Sequence, residues 1–123
     1  MSQALILFAH GARDPEWALP IRRVQAAVRD QAPDLAVECA FLEFMTPTLS
    51  ECADALVTRG VARLAILPMF IAQGGHLKRD VPLLVDALRQ RHPTVEFVLA
   101  PAIGENEAVL RAMAAAAAAL AGS

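Results

Sequence analysis

Four short apolar runs, at 4–9, 35–41, 62–70 and 95–100, alternate along the chain with four segments whose apolar residues recur on a helical period. Few folds accept that arrangement, because strands separated by helices pair in parallel and need those helices to cover them. The helical stripes are Ile21, Val24 and Val28, then Leu49, Cys52, Ala53 and Leu56, then Val81, Leu84, Val85 and Leu88. Each repeats at three and four residues. A last helix is expected over 106–120, through the alanines at 114–119, which favour helix and permit close packing. Pro47 near the start of the second helix and Gly60 just past its end fit the usual punctuation.

The strands differ in pattern, and the difference orders them. The runs 4–9 and 64–67 are apolar throughout, as central strands covered on both faces are. Leu35, Val37, Cys39 and Phe41 alternate with Ala36, Glu38 and Ala40, which marks an edge strand, and Val95, Phe97 and Leu99 around Glu96 mark a second edge more weakly. The expected sheet therefore has order 2-1-3-4, a flavodoxin-like α/β fold of four parallel strands flanked by helices. Pro68 cannot donate within a central ladder, so regular pairing of the third strand is expected to end near Leu67, with 69–76 as a loop.

With 123 residues the chain is expected to be one domain spanning 1–123, large enough for an ordinary core. A net charge of −2 and a pI near 5.9 give no basic excess for nucleic acid. The apolar run near the N-terminus is about six residues, too short for a signal core or a membrane span, so a soluble cytoplasmic protein without membrane association is expected. Cys39 and Cys52 form no C-x-x-C pair and fall at apolar-face positions, which reads as two buried thiols in a reducing compartment.

The chemistry gathers at strand ends. His10 lies in F-A-H-G-A-R-D-P after the first strand, Glu43 follows the second, and His76 lies in A-Q-G-G-H-L-K-R-D after the third. In the order 2-1-3 all three emerge at one end of neighbouring strands about 5 Å apart. Two imidazoles and a carboxylate suit zinc, cobalt, nickel or iron and leave coordination positions for a substrate. Each also has a plainer reading, since a histidine there can cap a helix or bond a carbonyl and Glu43 can be a solvated loop carboxylate. His92, at a helix C-terminus, is a favourable place for partial positive charge and is read as structural.

Gly74 and Gly75 either make a tight turn or let a ligand approach the backbone. No G-x-x-x-x-G-K-[ST] is present and no G-x-G-x-x-G follows the first strand, so no motif supports a nucleotide. Trp17, Leu42, Phe44, Met45, Met69, Phe70 and Ile71 put unusual apolar surface at the same end, as core, subunit contact or a seat for a flat hydrophobic ligand. Arg13, Lys78 and Arg79 flank the histidine motifs and can pair with ligand carboxylates or stay solvated.

Taken together, H-G-A-R-D-P at 10–15, L-E-F-M-T-P at 42–47 and G-G-H-L-K-R-D-V-P at 74–82 resemble the short-form sirohydrochlorin chelatases, small class II cobaltochelatases related to the siroheme ferrochelatases. The resemblance covers nearly the whole chain. It implies a flavodoxin-like domain that dimerises and inserts a divalent metal, Co²⁺ or Fe²⁺ with Ni²⁺ a further candidate, into sirohydrochlorin without ATP. It places metal-binding and catalytic roles on His10 and His76 and a supporting carboxylate on Glu43. The tetrapyrrole would meet Arg13, Phe44, Met45, Phe70, Gly74, Gly75 and Lys78. One departure is Ala12, where members of the family often have Ser.

A mean hydropathy of +0.43 is high for so small a domain and independently suggests a surface covered by a second copy. Two rival functions use the same residues. A phosphohistidine phosphomonoesterase would need an arginine where Ala9 stands. A metal or tetrapyrrole carrier without turnover would need nothing different.

Overall fold

β1 (Gln3–Ala9) is apolar on both faces, so it lies inside the sheet: Ala4, Ile6 and Phe8 enter one buried layer, Leu7 and Ala9 the other. In the computed structural model, which describes residues 2–122, β1 pairs in parallel with β2 (Ala36–Phe41) on one side and β3 (Arg63–Pro68) on the other. β4 (Glu96–Leu99) joins the far side of β3. The order is β2-β1-β3-β4, as the apolar patterning required. The strands are followed in turn by α1 (Leu19–Gln31), α2 (Leu49–Thr58), α3 (Gly75–Arg91) and α4 (Glu107–Ala121).

The larger core is the layer between the sheet and α2 and α3, where Phe8, Ile6, Ile66, Leu64, Leu56 and Val85 are fully buried. Each such side chain contributes about 1.5–3 kcal/mol through burial. The smaller layer lies under α1 and holds Leu7, Val37, Cys39 and Phe41. α2 begins at a reciprocal cap, in which the Thr48 amide donates to Glu51 Oε1 at 2.9 Å and the Glu51 amide to Thr48 Oγ1 at 3.2 Å. At the opposite end of the sheet from the candidate site, His92 closes α3 with its Nε2 2.7 Å from Asp54 Oδ1, which ties α3 to α2 and confirms a structural role.

Several expectations are corrected. Val24 is 39% exposed, and the buried residue of α1 is Gln25. α1 rides over the edge strand, so Gln25 Nε2 and an Arg29 nitrogen both donate to the Val37 carbonyl at 2.9 Å and occupy the line expected to be apolar. Leu84 sits at the exposed margin of α3, whose buried residues are Val81, Val85 and Leu88. β3 continues through Pro68, paired with Phe8. Met69 donates to the Phe8 carbonyl at 2.8 Å, so strand alternation turns the proline nitrogen toward β4, which has already ended. His76 lies in the first turn of α3 instead of a loop. None of the residues of α4 is buried, against the expectation that its alanines pack closely.

Cys39 and Cys52 are buried and free, and burial pushes both thiols up, Cys52 to about 12 with a smaller push from the Glu38 charge. A raised thiol pKa means that the folded state holds its proton more tightly than the unfolded chain. Stability is therefore unaffected by Cys52 below the ordinary value of 9.0 and falls as pH rises from there toward about 12. Urea unfolding at a series of alkaline pH values should show that decline, and Cys52→Ala should lessen it.

Candidate active site

The pairing of β1 with β2 does not stop where the strands do. The Leu42 amide donates to the Ala9 carbonyl at 2.9 Å and the Glu43 amide to the His10 carbonyl at 3.0 Å, so the residues that follow the two strands leave the sheet side by side. Gly11 makes this approach possible. Its φ is +94°, and a Cβ there would stand 1.9 Å from the Glu43 carbonyl oxygen. Any other residue would force the two segments apart.

The side chains carried by this junction meet. His10 Nε2 lies 3.5 Å from Glu43 Oε1, and both side chains are about half exposed. His10 Nδ1 lies 3.3 Å from the Gly11 carbonyl, an acceptor only, so this contact requires the proton on Nδ1. In the neutral ring Nε2 then presents its lone pair toward the carboxylate. Two lone-pair donors facing each other call for a cation or a proton between them. Metal–nitrogen and metal–oxygen bonds of about 2.0–2.2 Å at a tetrahedral angle separate the two ligand atoms by about 3.4 Å, close to the spacing found.

His76 stands apart from this pair. Among the described residues no three His, Cys, Asp or Glu side chains gather in a metal-binding group, so the trio expected from the strand order is assembled only as far as His10 and Glu43. His76 is exposed, and its Nδ1 accepts from an Arg79 nitrogen at 3.1 Å. Arg79 also contacts Asp80 at 3.4 Å, so it is engaged with its own helix instead of being free for ligand carboxylates. The three-residue spacing of His76 and Arg79 on a helix is the signal from which this contact was readable. Gly74 and Gly75 make no tight turn. Gly74 is extended at φ −72° and ψ 172°, and a Cβ on either would meet nothing within 4 Å, so the backbone before His76 is open.

The apolar residues of this end divide. Phe44 is 57% exposed and is held at a φ of 67°, unusual for a bulky residue, with the Arg13 guanidinium 4.9 Å from its ring centre. Ile71 and Trp17 are also exposed, whereas Met45, Met69 and Leu42 are half-buried against the cores. Phe70 belongs to the main core, 8% exposed and edge-on to Phe8 at 6.1 Å, so it supports the loop from below and does not line the rim. Lys78 is exposed on the first turn of α3. A surface cavity of about 630 Å³ lies at the other end of the sheet beside Gln3, Gln31 and Asp34 and contains none of these groups.

Comparison with known proteins follows the same lines. The CbiX family model matches residues 4–120. The chain is 30% identical over 108 residues to a sirohydrochlorin cobaltochelatase of Priestia megaterium, covering 88% of this chain and 35% of that protein. It is 31% identical over 111 residues to a sirohydrochlorin cobaltochelatase of Saccharolobus islandicus strain L.S.2.15, covering 85% of each. The chain thus spans about a third of the first relative and most of the second. Among solved structures, the CbiX protein from Marinobacter aquaeolei VT8 superimposes with a TM-score of 0.82 at 27% identity, over 98% of this chain and 99% of that one. The sirohydrochlorin chelatase SirB of Bacillus subtilis subspecies spizizenii, in complex with cobalt, superimposes at 0.78 with 25% identity, over 91% of this chain and 48% of that one. SirB from Bacillus subtilis with Fe³⁺ does so at 0.76 with 26% identity, over 91% and 44%.

Gly11→Ala should combine left-handed strain of about 1–2 kcal/mol with the collision against Glu43. A lowered urea midpoint together with weakened Co²⁺ binding by titration calorimetry is the expected outcome.

Proposed function

The chain belongs to the CbiX family, and from that membership we propose that it inserts a divalent metal ion, Co²⁺ or Fe²⁺, into sirohydrochlorin without a nucleotide. The observation that carries the proposal is the His10–Glu43 pair, an imidazole nitrogen and a carboxylate oxygen 3.5 Å apart beyond the carboxyl ends of β1 and β2. The named relatives are sirohydrochlorin cobaltochelatases, and the two SirB structures hold cobalt and iron. Ni²⁺ is a further candidate, because donors of this kind accept it as readily.

Insertion needs a temporary ligand for the incoming ion and a base for the inner pyrrole protons, both on one face of the macrocycle. His10 Nε2 and Glu43 supply both functions: together they hold the metal, and as it passes to the ring nitrogens the freed carboxylate and imidazole accept protons. His76 is the third ligand. Its capture of metal through Nε2 requires Arg79 to leave Nδ1, since an imidazole cannot offer both lone pairs while neutral. Pro82, inside α3, has no amide to bond the Lys78 carbonyl, which leaves the helix ladder weaker behind the turns that carry His76.

The ring lies against Phe44, Met45 and Ile71, with Arg13 and Lys78 facing its carboxylates and the open backbone at Gly74 and Gly75 giving it room. Arg13 on the Phe44 ring joins a cation to an apolar platform, a combination suited to a flat polyanion. We further propose that the protein is a single-domain homodimer of the cytoplasm.

In an anaerobic absorbance assay with sirohydrochlorin and Co²⁺ or Fe²⁺, wild-type protein should accelerate insertion, and His10→Ala and Glu43→Gln should each lower the rate by about 10² or more with the fold intact. Full activity in both variants would remove the pair from the mechanism. Stoichiometric metal binding without acceleration would make the protein a carrier.

A further inference from the structure

His10 and His76 hold opposite tautomers. The Gly11 carbonyl beside His10 Nδ1 puts that ring's proton on Nδ1 and leaves Nε2 open. At His76 the neighbour is a donor. The Arg79 guanidinium has no lone pair to offer, so its contact from Nη2 to His76 Nδ1 at 3.1 Å makes Nδ1 the acceptor and puts the proton of the neutral ring on Nε2. Neither nitrogen of His76 is then open to a metal ion, one being covered by a guanidinium and the other protonated. A cation against the ring also opposes the approach of a second one.

Arg79 is held there lightly. Its other contact, from Nε to Asp80 Oδ1 at 3.4 Å, joins side chains that are 66% and 52% exposed, and exposed pairs of this kind are weak. His76 is exposed as well. A guanidinium so placed can still be claimed by a stronger partner, and a carboxylate that meets it through two parallel hydrogen bonds is one. In the function proposed above, the tetrapyrrole brings its carboxylates to this turn of α3, where Lys78 adjoins Arg79.

We propose that Arg79 is a latch on His76 that a carboxylate of the tetrapyrrole releases. With the ring absent, an ion that takes His76 must itself displace Arg79, and its affinity is lowered by that amount. Once a ring carboxylate takes the guanidinium, Nδ1 of His76 gains a proton from water while Nε2 returns one to water. The imidazole stays neutral and its Nε2 lone pair is exposed. The third ligand therefore binds more tightly when the acceptor of the metal is present. The coupling is reciprocal, so an ion on His76 also frees Arg79 to hold the ring. This rests on the function proposed above and adds an order of events to it. Arg79 is a positioning residue here, because it acts on the metal through His76.

The test compares wild type, Arg79→Gln, His76→Ala and the double variant, with Co²⁺ alone and with metal-free sirohydrochlorin alone, so that no insertion takes place. Calorimetric titration should show Co²⁺ bound about fivefold more tightly by Arg79→Gln than by wild type, with no such gain when His76→Ala is also present. Metal-free sirohydrochlorin, followed by absorbance, should bind Arg79→Gln more weakly than wild type. Removal of a merely structural arginine would tighten neither ligand. A gain in Co²⁺ affinity that persists without His76 would be a field effect on His10 and Glu43 and would overturn the latch. Unchanged or weaker Co²⁺ binding by Arg79→Gln, or unchanged binding of the ring, would overturn it too. The insertion assay separates the two readings. The expected shifts in a protein that does not accelerate insertion would uphold the latch in a carrier, and insertion without the shifts would remove the latch alone. Wild-type protein that binds neither ligand would overturn both.

Discussion

Two backbone hydrogen bonds beyond the formal end of a strand pair hold the candidate site together. Leu42 to Ala9 and Glu43 to His10 continue the β1–β2 ladder into the loops, and Gly11 is the residue that lets the loops come close enough. Everything chemical at this end depends on that continuation. Without it, His10 and Glu43 would leave adjacent strands on independent loops and their spacing would be set by loop motion. With it, the backbone of the sheet sets the two side chains beside each other, with His10 Nε2 3.5 Å from Glu43 Oε1.

The rest of the molecule serves this junction at different distances. Phe70 and Phe8 fill the core below the loop that leads to His76, and Gly104 fastens the turn after β4 to the same loop. The far end of the sheet is closed by His92, Arg91 and Asp54, which join α3 to α2. Backbone hydrogen bonds hold the His10–Glu43 junction. His76 sits on the first turn of a helix whose ladder lacks one bond at Pro82, and in the function proposed above a site that held metal too firmly on all ligands would not release it to the ring.

Much of this was legible in the sequence because it depends on short-range pattern. The fully apolar runs of β1 and β3 and the alternating run of β2 order the sheet without reference to anything distant. The end of the sheet that carries His10, Glu43 and His76 follows from that order. What escaped depends on position in three dimensions. Val24 has the right period but the wrong azimuth, because α1 overhangs an edge strand whose free carbonyl attracts Gln25 and Arg29. Phe70 is one residue from an exposed one, and composition does not separate a rim from its support. α4 has the sequence of a buried helix, yet none of its residues is buried, and only the clamped turn at Gly104 from which it departs shows why.

The central claim is that His10, Glu43 and, on binding, His76 form one metal site. Cobalt K-edge X-ray absorption on protein loaded with less than one equivalent of Co²⁺ addresses it most directly, because imidazole rings give outer-shell scattering that carboxylates and water do not. The account predicts two imidazoles on the metal in the wild type and one after His76→Ala. A cobalt environment with no imidazole, or one unchanged by removing either His10 or His76, would contradict it.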